Sequence, residues 1–249
     1  MGGHSHWAGI KHKKAIVDAK RGKLWTRLIR EITIAAKMGG GSAEGNPRLR
    51  RAIDDAKAAN MPQDNIKRAV QRGTGELPGA IYEELTYEGY APAGVALLID
   101  VTTDNRNRTL TEIRQAFVKN GGSLGEAGSV AWMFKPKGVI RVPREGAPDG
   151  DSLLGHALDL GAEDLESGDQ GHEIRTAPED LERVKEGLLK LKIPVESGEL
   201  AKLPQTLVPV PAEEAPKVLK LISALEELDD VKTVFANFDI PDEVLAKFS

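Results

Sequence analysis

Apolar residues near the start of the chain recur at intervals of three and four positions, the spacing of helices with one buried face. Three such helices are predicted, at residues 11–38, 47–60 and 63–72. Asn46 and Pro47 provide a cap and a first-turn proline for the second helix, and Gly73 is expected to end the third. The pattern therefore predicts a helical domain over residues 1–79, preceded by a short polar arm.

Beyond residue 75 the pattern changes to short runs typical of strands. Strands are predicted at 82–90, 94–103, 129–134, 207–210 and 231–238, with helices at 106–119 and 213–227. These elements lie on both sides of a separate block, so the domain that they form is expected to be discontinuous, made of residues 80–134 and 205–249.

The block between them has a recognisable order. It reads as strand 138–142, helix 150–160, strands 163–167 and 171–176, helix 178–191 and strand 195–203. This βαββαβ order is that of the ferredoxin-like, or split βαβ, unit. We therefore predict an α+β protein of three domains: the helical domain, the discontinuous α+β domain, and a ferredoxin-like domain at residues 135–204.

Composition narrows the classes of protein. The 249 residues include no cysteine, which excludes disulfide scaffolds, thiolate nucleophiles and cysteine-ligated metals, and favours a reducing compartment. No purely apolar run is longer than that at Val95–Ile99, which is far shorter than the roughly 20 residues of a membrane helix. The first residues have no apolar signal segment. We therefore expect a cytoplasmic protein with no membrane partner.

The charges are unevenly distributed along the chain. Residues 1–75 contain 16 Lys and Arg against 6 Asp and Glu, a net charge of +10, whereas residues 76–249 have a net charge of −14. Such asymmetry suggests that the basic part binds a polyanion such as nucleic acid. The alternative is that the two oppositely charged parts of the chain attract each other.

Candidate nucleic-acid-binding residues follow from this asymmetry. Lys and Arg neutralise phosphates, and an aromatic ring can stack on a base. The candidates are His4, His6, Trp7, Lys11, His12, Lys13 and Lys14 in and beside the arm, Lys20, Lys23, Arg27 and Arg30 on the first helix, and Arg48, Arg50, Arg51, Lys67, Arg68 and Arg72 on the next two. A disordered tail is the alternative for the arm. A zinc site at the histidines is disfavoured because no carboxylate precedes Asp18.

A second candidate site lies where a predicted strand ends and a helix begins. Two arginines in the first turn of that helix oppose its dipole, so helix stability does not account for them. Backbone N–H groups and guanidinium groups together suit a phosphate or a partner's carboxylate, with an interdomain salt bridge as the alternative. The residues concerned are Asp104, Asn105, Arg106, Asn107, Arg108 and Thr109.

Support for an enzyme is weaker. The sequence contains no Walker loop, no nucleophile elbow and no HExxH helix. The glycine-rich run Gly121–Gly128 precedes a predicted strand, which is the wrong context for a phosphate loop. Asp100, Asp104 and Glu126 could in principle form a metal-dependent nuclease site, but acidic residues are common in caps and turns. We expect no catalytic residue, metal or cofactor.

Four long segments of the sequence resemble the YebC/PmpR family, which includes the mitochondrial translational activator of cytochrome c oxidase. They are MGGHSHWAGIKHKKAIVDAKRGKLWTRLIREI, NPRLRRAIDDAKAANMPQDNIKRAVQRGTGE, YEGYAPAGVALLIDVTTDNRNRT and GGSLGEAGSVAWMF, and the match covers about residues 3–240. Two departures are small: His6 stands where members often have Lys, and Ala93 replaces a usual Gly. The shared residues include His4, Ser5, Trp7, Lys11, His12 and Lys13, and the resemblance adds Ser5 to the candidates.

The resemblance implies a cytoplasmic, non-enzymatic protein of three domains without a cofactor. Family members are described as DNA-binding transcriptional regulators, or as ribosome-associated factors that act at proline-rich stalls. We expect a nucleic-acid-binding regulator and favour ribosomal RNA and the ribosome as partners, because a His/Trp arm without a clear recognition helix suits shape and stacking readout. A DNA-binding transcriptional regulator is the first alternative, and a small-ligand sensor built on the ferredoxin-like domain is the second.

Overall fold

The structure, a computed structural model, describes residues 18–168, 171–241 and 244, with side chains from residue 22 onward. Within these residues the chain forms seven α-helices and ten β-strands, which confirms the α+β class. The helices are α1 Asp18–Gly39, α2 Pro47–Ala58, α3 Gln63–Thr74, α4 Arg106–Lys119, α5 Gly150–Asp159, α6 Leu181–Lys190 and α7 Ala215–Glu226. The strands are β1 Glu83–Tyr90, β2 Ala96–Thr103, β3 Ser123–Leu124, β4 Phe134–Val142, β5 Asp164–Gly168, β6 Gly171–Thr176, β7 Ser197–Pro204, β8 Val208–Pro209, β9 Val231–Ala236 and β10 Phe238–Asp239.

The described chain divides into two compact units. One contains residues 18–129 and Pro216–Val234, and the other contains Val130–Ala215 and the residues from Phe235 onward. The first unit holds the helical domain together with most of a four-stranded sheet, and the second holds the ferredoxin-like sheet. The three domain boundaries drawn from the sequence stay predictions.

The helical domain is built around α1. Its residues Ile32, Ala35 and Ala36 join a buried cluster with apolar side chains of α2 and α3, including Leu49 and Ile66. Small side chains bring the helices close together, and Gly73 is the extreme case, because a Cβ there would lie 2.3 Å from the carbonyl oxygen of Thr33. Gly73 lies inside α3, one residue before its end, at a point where α3 and α1 approach closely. The prediction that Gly73 ends the helix was wrong, since the end lies at Gly75, in the left-handed conformation with φ 84°.

The first sheet has the order β3-β1-β2-β9. β1 and β2 are antiparallel, with Tyr87 opposite Ile99, and nearly every residue of β2 is buried. α4 contributes the buried side chains of Ile113 and Phe117 to the core. The short turn between β1 and β2 holds Ala93 with φ 61°, a conformation that ordinarily favours glycine. Thus β2 and α4 form a rigid base for the residues that connect them.

The ferredoxin-like sheet has the order β5-β6-β4-β7, and every neighbouring pair is antiparallel. With α5 between β4 and β5, and α6 between β6 and β7, this is the predicted βαββαβ unit. Its core joins Ile140 and Ile174 of the sheet to Leu153 of α5 and Leu188 of α6. β8 and β10 form a separate two-stranded parallel sheet.

The strand predicted at residues 129–134 is not formed. Residues Ala131–Met133 of the expected strand 129–134 form a short 3-10 helix, and β4 begins only at Phe134. The apolar run in this stretch predicted a strand, but so short a run does not distinguish a strand from a helix by its spacing. Among the residues that the structure describes, no helix is both long enough and apolar enough to cross a membrane.

Candidate nucleic-acid interface

The cationic face of α1 contacts polypeptide oxygen atoms of its own chain. Lys23 Nζ donates to the carbonyl of Glu227 at 2.9 Å, and Arg30 Nη1 donates to that of Asp229 at 2.5 Å. Arg27 Nη2 donates to the carbonyls of Glu226 and Leu228. Three of the predicted phosphate contacts are therefore engaged within the molecule.

These contacts satisfy the end of α7. The last carbonyls of any helix lack partners within that helix, and they carry the negative end of its dipole. α7 ends at Glu226, and α1 binds the carbonyl oxygen of this last residue together with those of the three residues that follow it. Cations are the side chains that best cap this end of a helix, which gives a structural reason for the scarcity of acids on α1.

Asp230 completes the contact and is the residue that the sequence analysis missed. Its side chain is 2% exposed and lies 3.0 Å from Arg30 Nη1. Its Oδ2 accepts from Arg108 Nη2 at 2.7 Å and from the hydroxyls of Thr109 at 2.6 Å and Thr103 at 3.0 Å. Asp229 and Asp230 lie three and four residues beyond the end of α7, near the negative end of its dipole, where acids are unfavourable. That placement was the one available signal that they must be paired.

The pKa of Asp230 reflects this environment. Burial acts to raise it, but the hydrogen bonds from Thr109 and Arg108, together with the charge of Arg30, outweigh burial and hold the pKa below its ordinary value. Asp230 is therefore a carboxylate near neutral pH, and α1, β2 and α4 all supply groups that bind it.

The site predicted at residues 104–109 holds carboxylates of the same chain. Asn105 caps α4 by accepting from the amide of Arg108 at 3.1 Å. Arg106 forms an ion pair with Glu83, and Arg108 pairs with both Asp104 and Asp230. Of the remaining members, Thr109 is buried and Asn107 is exposed. These ion pairs lie within the predicted discontinuous α+β domain, so they differ from the interdomain salt bridge given as the alternative, and Asp230 lies where an external anion was expected.

Arg48 of α2 belongs to a second polar network. Its guanidinium group donates to Glu31 Oε1 at 2.7 Å and to Glu84 Oε1 at 2.6 Å. Lys232 Nζ donates to Glu31 Oε2 at 2.7 Å. Burial alone would raise the pKa of Glu31, but the bonds from Arg48 and the charge of Lys232 lower it to about 2. Glu31 thus ties two helices of the helical domain to the neighbouring sheet.

Four of the remaining predicted cations are exposed and available to a partner. Lys67, Arg68 and Arg72 lie on the exposed side of α3, with buried Ile66 and Ala69 on the opposite side. We call these three the α3 basic face. Within the described part of the chain, none of them has an ion pair, and the same holds for exposed Arg50 of α2. Arg51 is half-buried and has a partner.

Several predicted residues cannot be placed. His4, Ser5, His6, Trp7, Lys11, His12, Lys13 and Lys14 lie outside the described residues, and so does the side chain of Lys20. These positions stay predictions.

The three carboxylates considered for a nuclease site, Asp100, Asp104 and Glu126, do not form a metal-binding group. Asp100 accepts from Thr86 at 2.7 Å and Asp104 pairs with Arg108, while Glu126 lies on an exposed loop. The structure, as far as it describes the chain, brings no three His, Asp or Glu side chains together in a metal-binding group.

The glycine-rich run is folded against β1. Glu88 Oε1 accepts from the amide of Gly128 at 2.7 Å, the carbonyl of Glu88 accepts from the amide of Gly125 at 2.8 Å, and Tyr90 donates to the carbonyl of Ser129 at 3.2 Å. The loop amides at Gly125 and Gly128 are therefore already bonded, which does not suit a phosphate cradle.

The ferredoxin-like sheet carries ion pairs on the face away from its helices. Arg175 pairs with Asp164, Glu166 and Glu173, and Arg141 lies 3.9 Å from Glu199. RNA-binding sheets of this topology use exposed aromatic rings on the central strands to stack bases. The described residues of β4 and β6 place only aliphatic and charged side chains on this face. Base stacking on this sheet therefore has no support.

Known proteins resemble the chain along nearly its whole length. The TACO1/YebC N-terminal domain matches residues 5–76, and the TACO1/YebC second and third domain matches residues 82–238. A probable transcriptional regulatory protein of Elusimicrobium minutum is 53% identical over 250 residues, covering 100% of both chains. One of Aquifex aeolicus with the same description is 54% identical and covers 99% of each chain.

A solved structure also resembles the chain along nearly its whole length. The crystal structure of a conserved hypothetical protein from Aquifex aeolicus superposes with a TM-score of 0.87 at 53% sequence identity, and the match covers 96% of this chain and 99% of that one. Its agreement supports the three-domain α+β fold. Both the sequence and the fold thus lead to one conclusion: the chain belongs to the TACO1/YebC family, whose bacterial relatives here are named as transcriptional regulators.

Proposed function

We propose that this protein is a non-enzymatic regulator of gene expression that binds RNA through its helical domain, as a ribosome-associated factor that assists translation at proline-rich stretches. The names of the relatives support the regulatory role. The preference for RNA rests on the residues described next.

The α3 basic face is the observation that carries the proposal. Its three cations project from one side of a single helix, and Lys67 and Arg68 are followed by Arg72 one turn later. Acidic partners for them are absent from the described residues, whereas Arg27, Arg30 and Arg48 all have oxygen partners. Free, exposed cations on one side of a helix are suited to contacting consecutive phosphates.

The choice of RNA as the ligand is inferred from the side chains that are available for contact. Residues 4–14 combine Lys and His with Trp7, a composition suited to phosphate contact and base stacking in an irregular RNA surface. Because the ferredoxin-like sheet carries ion pairs and no aromatic platform, we assign RNA contact to the helical domain and the arm.

A salt series tests the role of the α3 basic face. Lys67→Ala/Arg68→Ala is compared with Arg114→Ala/Lys190→Ala, which removes the same charges from exposed positions on α4 and α6. Binding to purified ribosomes and to an RNA duplex is measured across KCl concentrations. Each phosphate contact contributes roughly 0.7–0.9 to the slope of log K against log salt, so the first pair should lower the slope by about 1.5 and the control should leave it unchanged. Equal effects of both pairs would contradict the proposal.

A DNA-binding transcriptional regulator is the second candidate. The relatives' names favour it, and so does one feature that the sequence analysis did not identify. Residues 59–62 form a four-residue connection between α2 and α3, the length typical of a helix-turn-helix, which would make α3 the recognition helix.

Replacement of a neutral side chain at the start of α3 separates the two candidates. If α3 reads base edges, Gln63→Ala should reduce the preference for promoter DNA over random duplex while leaving the salt slope unchanged. Under our proposal the wild-type protein binds both duplexes alike, and it binds ribosomes more tightly than either.

A further inference from the structure

The segment 226–230 offers α1 a set of oxygen atoms comparable to those of a phosphate backbone. Its carbonyls from Glu226 to Asp229 and the carboxylate of Asp230 all approach Lys23, Arg27 or Arg30. A nucleic-acid strand presents negative oxygens to Lys and Arg in the same way. Lys23, Arg27 and Arg30 can therefore bind either segment 226–230 or a nucleic-acid strand, but not both at once.

The contact between α1 and this segment is incompletely satisfied. Arg27 Nε and Arg30 Nε are buried and have no hydrogen-bond partner in the described residues, and Asp230 Oδ1 is held only by its ion pair with Arg30 at 3.0 Å, without a hydrogen bond. They border a small cavity of about 20 Å³ that is also lined by Glu31, Thr102 and Lys232. Unsatisfied buried polar atoms cost free energy, so this contact is weaker than its number of charges suggests.

The helical domain is joined to the sheet by a segment that could permit movement. Residues 75–81, between α3 and the sheet, are all exposed, and Ile81 is 77% exposed. At the end of this segment the ring of Tyr82 lies 5.6 Å from the guanidinium carbon of Arg30. Interfaces rich in ion pairs and reached through exposed linkers favour relative motion of the domains.

We propose that segment 226–230 occupies a phosphate-binding face of α1, formed by Lys23, Arg27 and Arg30, so that docking of the helical domain and binding of nucleic acid compete for the same cations. This inference rests on the proposed function and extends it. In the docked state the α3 basic face can contact phosphate, whereas the three cations of α1 cannot. Release of α1 adds up to three further cations.

Two introduced cysteines measure docking directly. Because the chain has no cysteine, Ala58→Cys on α2 and Val118→Cys on α4 would carry the only two labels, and both positions are exposed. Energy transfer between the labels is recorded with inorganic polyphosphate as the probe and, separately, in a KCl series without it. Loss of transfer at polyphosphate saturation supports the proposal, and unchanged transfer with polyphosphate bound overturns it.

The KCl series separates this inference from the proposed function. Salt weakens ion pairs whether or not nucleic acid binds the protein. If neither RNA nor polyphosphate binds, the proposed function fails. Loss of transfer as the KCl concentration rises would still support an ionic docking contact, and constant transfer would overturn it.

Asp230→Asn and Asp229→Asn form a matched pair. Each removes one negative charge, but Asp230 is 2% exposed at the contact, whereas Asp229 is 66% exposed. Asp230→Asn should raise RNA affinity several-fold and steepen the salt slope by about two, as two to three cations become available, and Asp229→Asn should change neither by much. Adding Arg30→Gln to Asp230→Asn should remove part of the gain. A folded Asp230→Asn protein with unchanged or weaker binding would overturn the proposal.

Discussion

Asn46 joins the first two helices, and its replacement by Ala should destabilise the helical domain strongly. The side chain is 5% exposed. Its Oδ1 caps α2 by accepting from the amide of Leu49 at 3.1 Å, while its Nδ2 donates to the carbonyls of Ala35 at 2.7 Å and Gly40 at 2.9 Å. One side chain thus makes three hydrogen bonds at a buried corner.

The expected loss follows from those three bonds. An Asn cap contributes about 1 kcal/mol. Each of the two carbonyl bonds contributes roughly 0.5–1.5 kcal/mol, so Asn46→Ala should cost about 2–4 kcal/mol in the free energy of unfolding. Asn105→Ala is the matched control, because Asn105 also caps a helix but is exposed and makes one such bond, to the amide of Arg108. Its loss should be about 1 kcal/mol.

Urea unfolding measures both variants. Circular dichroism follows the whole fold, and the fluorescence of Trp25, whose Nε1 donates to the carbonyl of Ala59 at 3.0 Å, follows the helical domain. The other tryptophans are removed by Trp7→Phe and Trp132→Phe. Asn46→Ser should lose an intermediate amount, because Ser keeps the cap but not the two donated bonds. Equal losses for Asn46→Ala and Asn105→Ala would refute the reasoning.

Three further outcomes are expected. Because the pKa of Glu31 is lowered to about 2 in the folded protein, its ionised form stabilises the fold above pH 4.5, and this contribution is lost as the pH falls toward 2. Glu31→Gln should lower the free energy of unfolding by about 2–3 kcal/mol at pH 7 and make that free energy less dependent on pH between 4.5 and 2. Ala93→Gly should stabilise the protein by roughly 0.5–1 kcal/mol, read as a higher Tm, because φ is 61° there. Gly73→Ala should lower the Tm markedly, because the added Cβ would collide with the carbonyl of Thr33. Gly22→Ala on α1 should not lower it, because a Cβ at residue 22 would have no atom within 4 Å.

The sequence predicted the parts of the fold that depend on local patterns. The ferredoxin-like unit was found because its strands and helices alternate between clear turns, and the helical domain because its apolar residues recur every three or four positions and Asn46-Pro47 mark the start of α2. The stretch Ala131–Met133 was misassigned because a short apolar run has no reliable period.

The candidate site was only partly predictable, for a physical reason. The excess of cations on α1 was visible, but their partners are mainly backbone carbonyls of residues 226–229, and no side-chain pattern marks a carbonyl. The arginines of α4 were recognised as anion-binding, while the anion itself, Asp230, lies more than a hundred residues away in sequence. Exposed cations such as Arg68 could be proposed from helix periodicity alone.

The capping of α7 by α1 also affects how variation among relatives should be interpreted. Substitution of Arg27 would leave carbonyls at the end of α7 without this donor, and substitution of Arg30 would also remove one of the partners of the buried Asp230. Natural selection would therefore retain these two arginines for folding, even in a relative that had lost its ligand. Invariance at Arg27 and Arg30 would be no guide to ligand binding, and the pattern of substitution at Lys67, Arg68 and Arg72 is the better record of it.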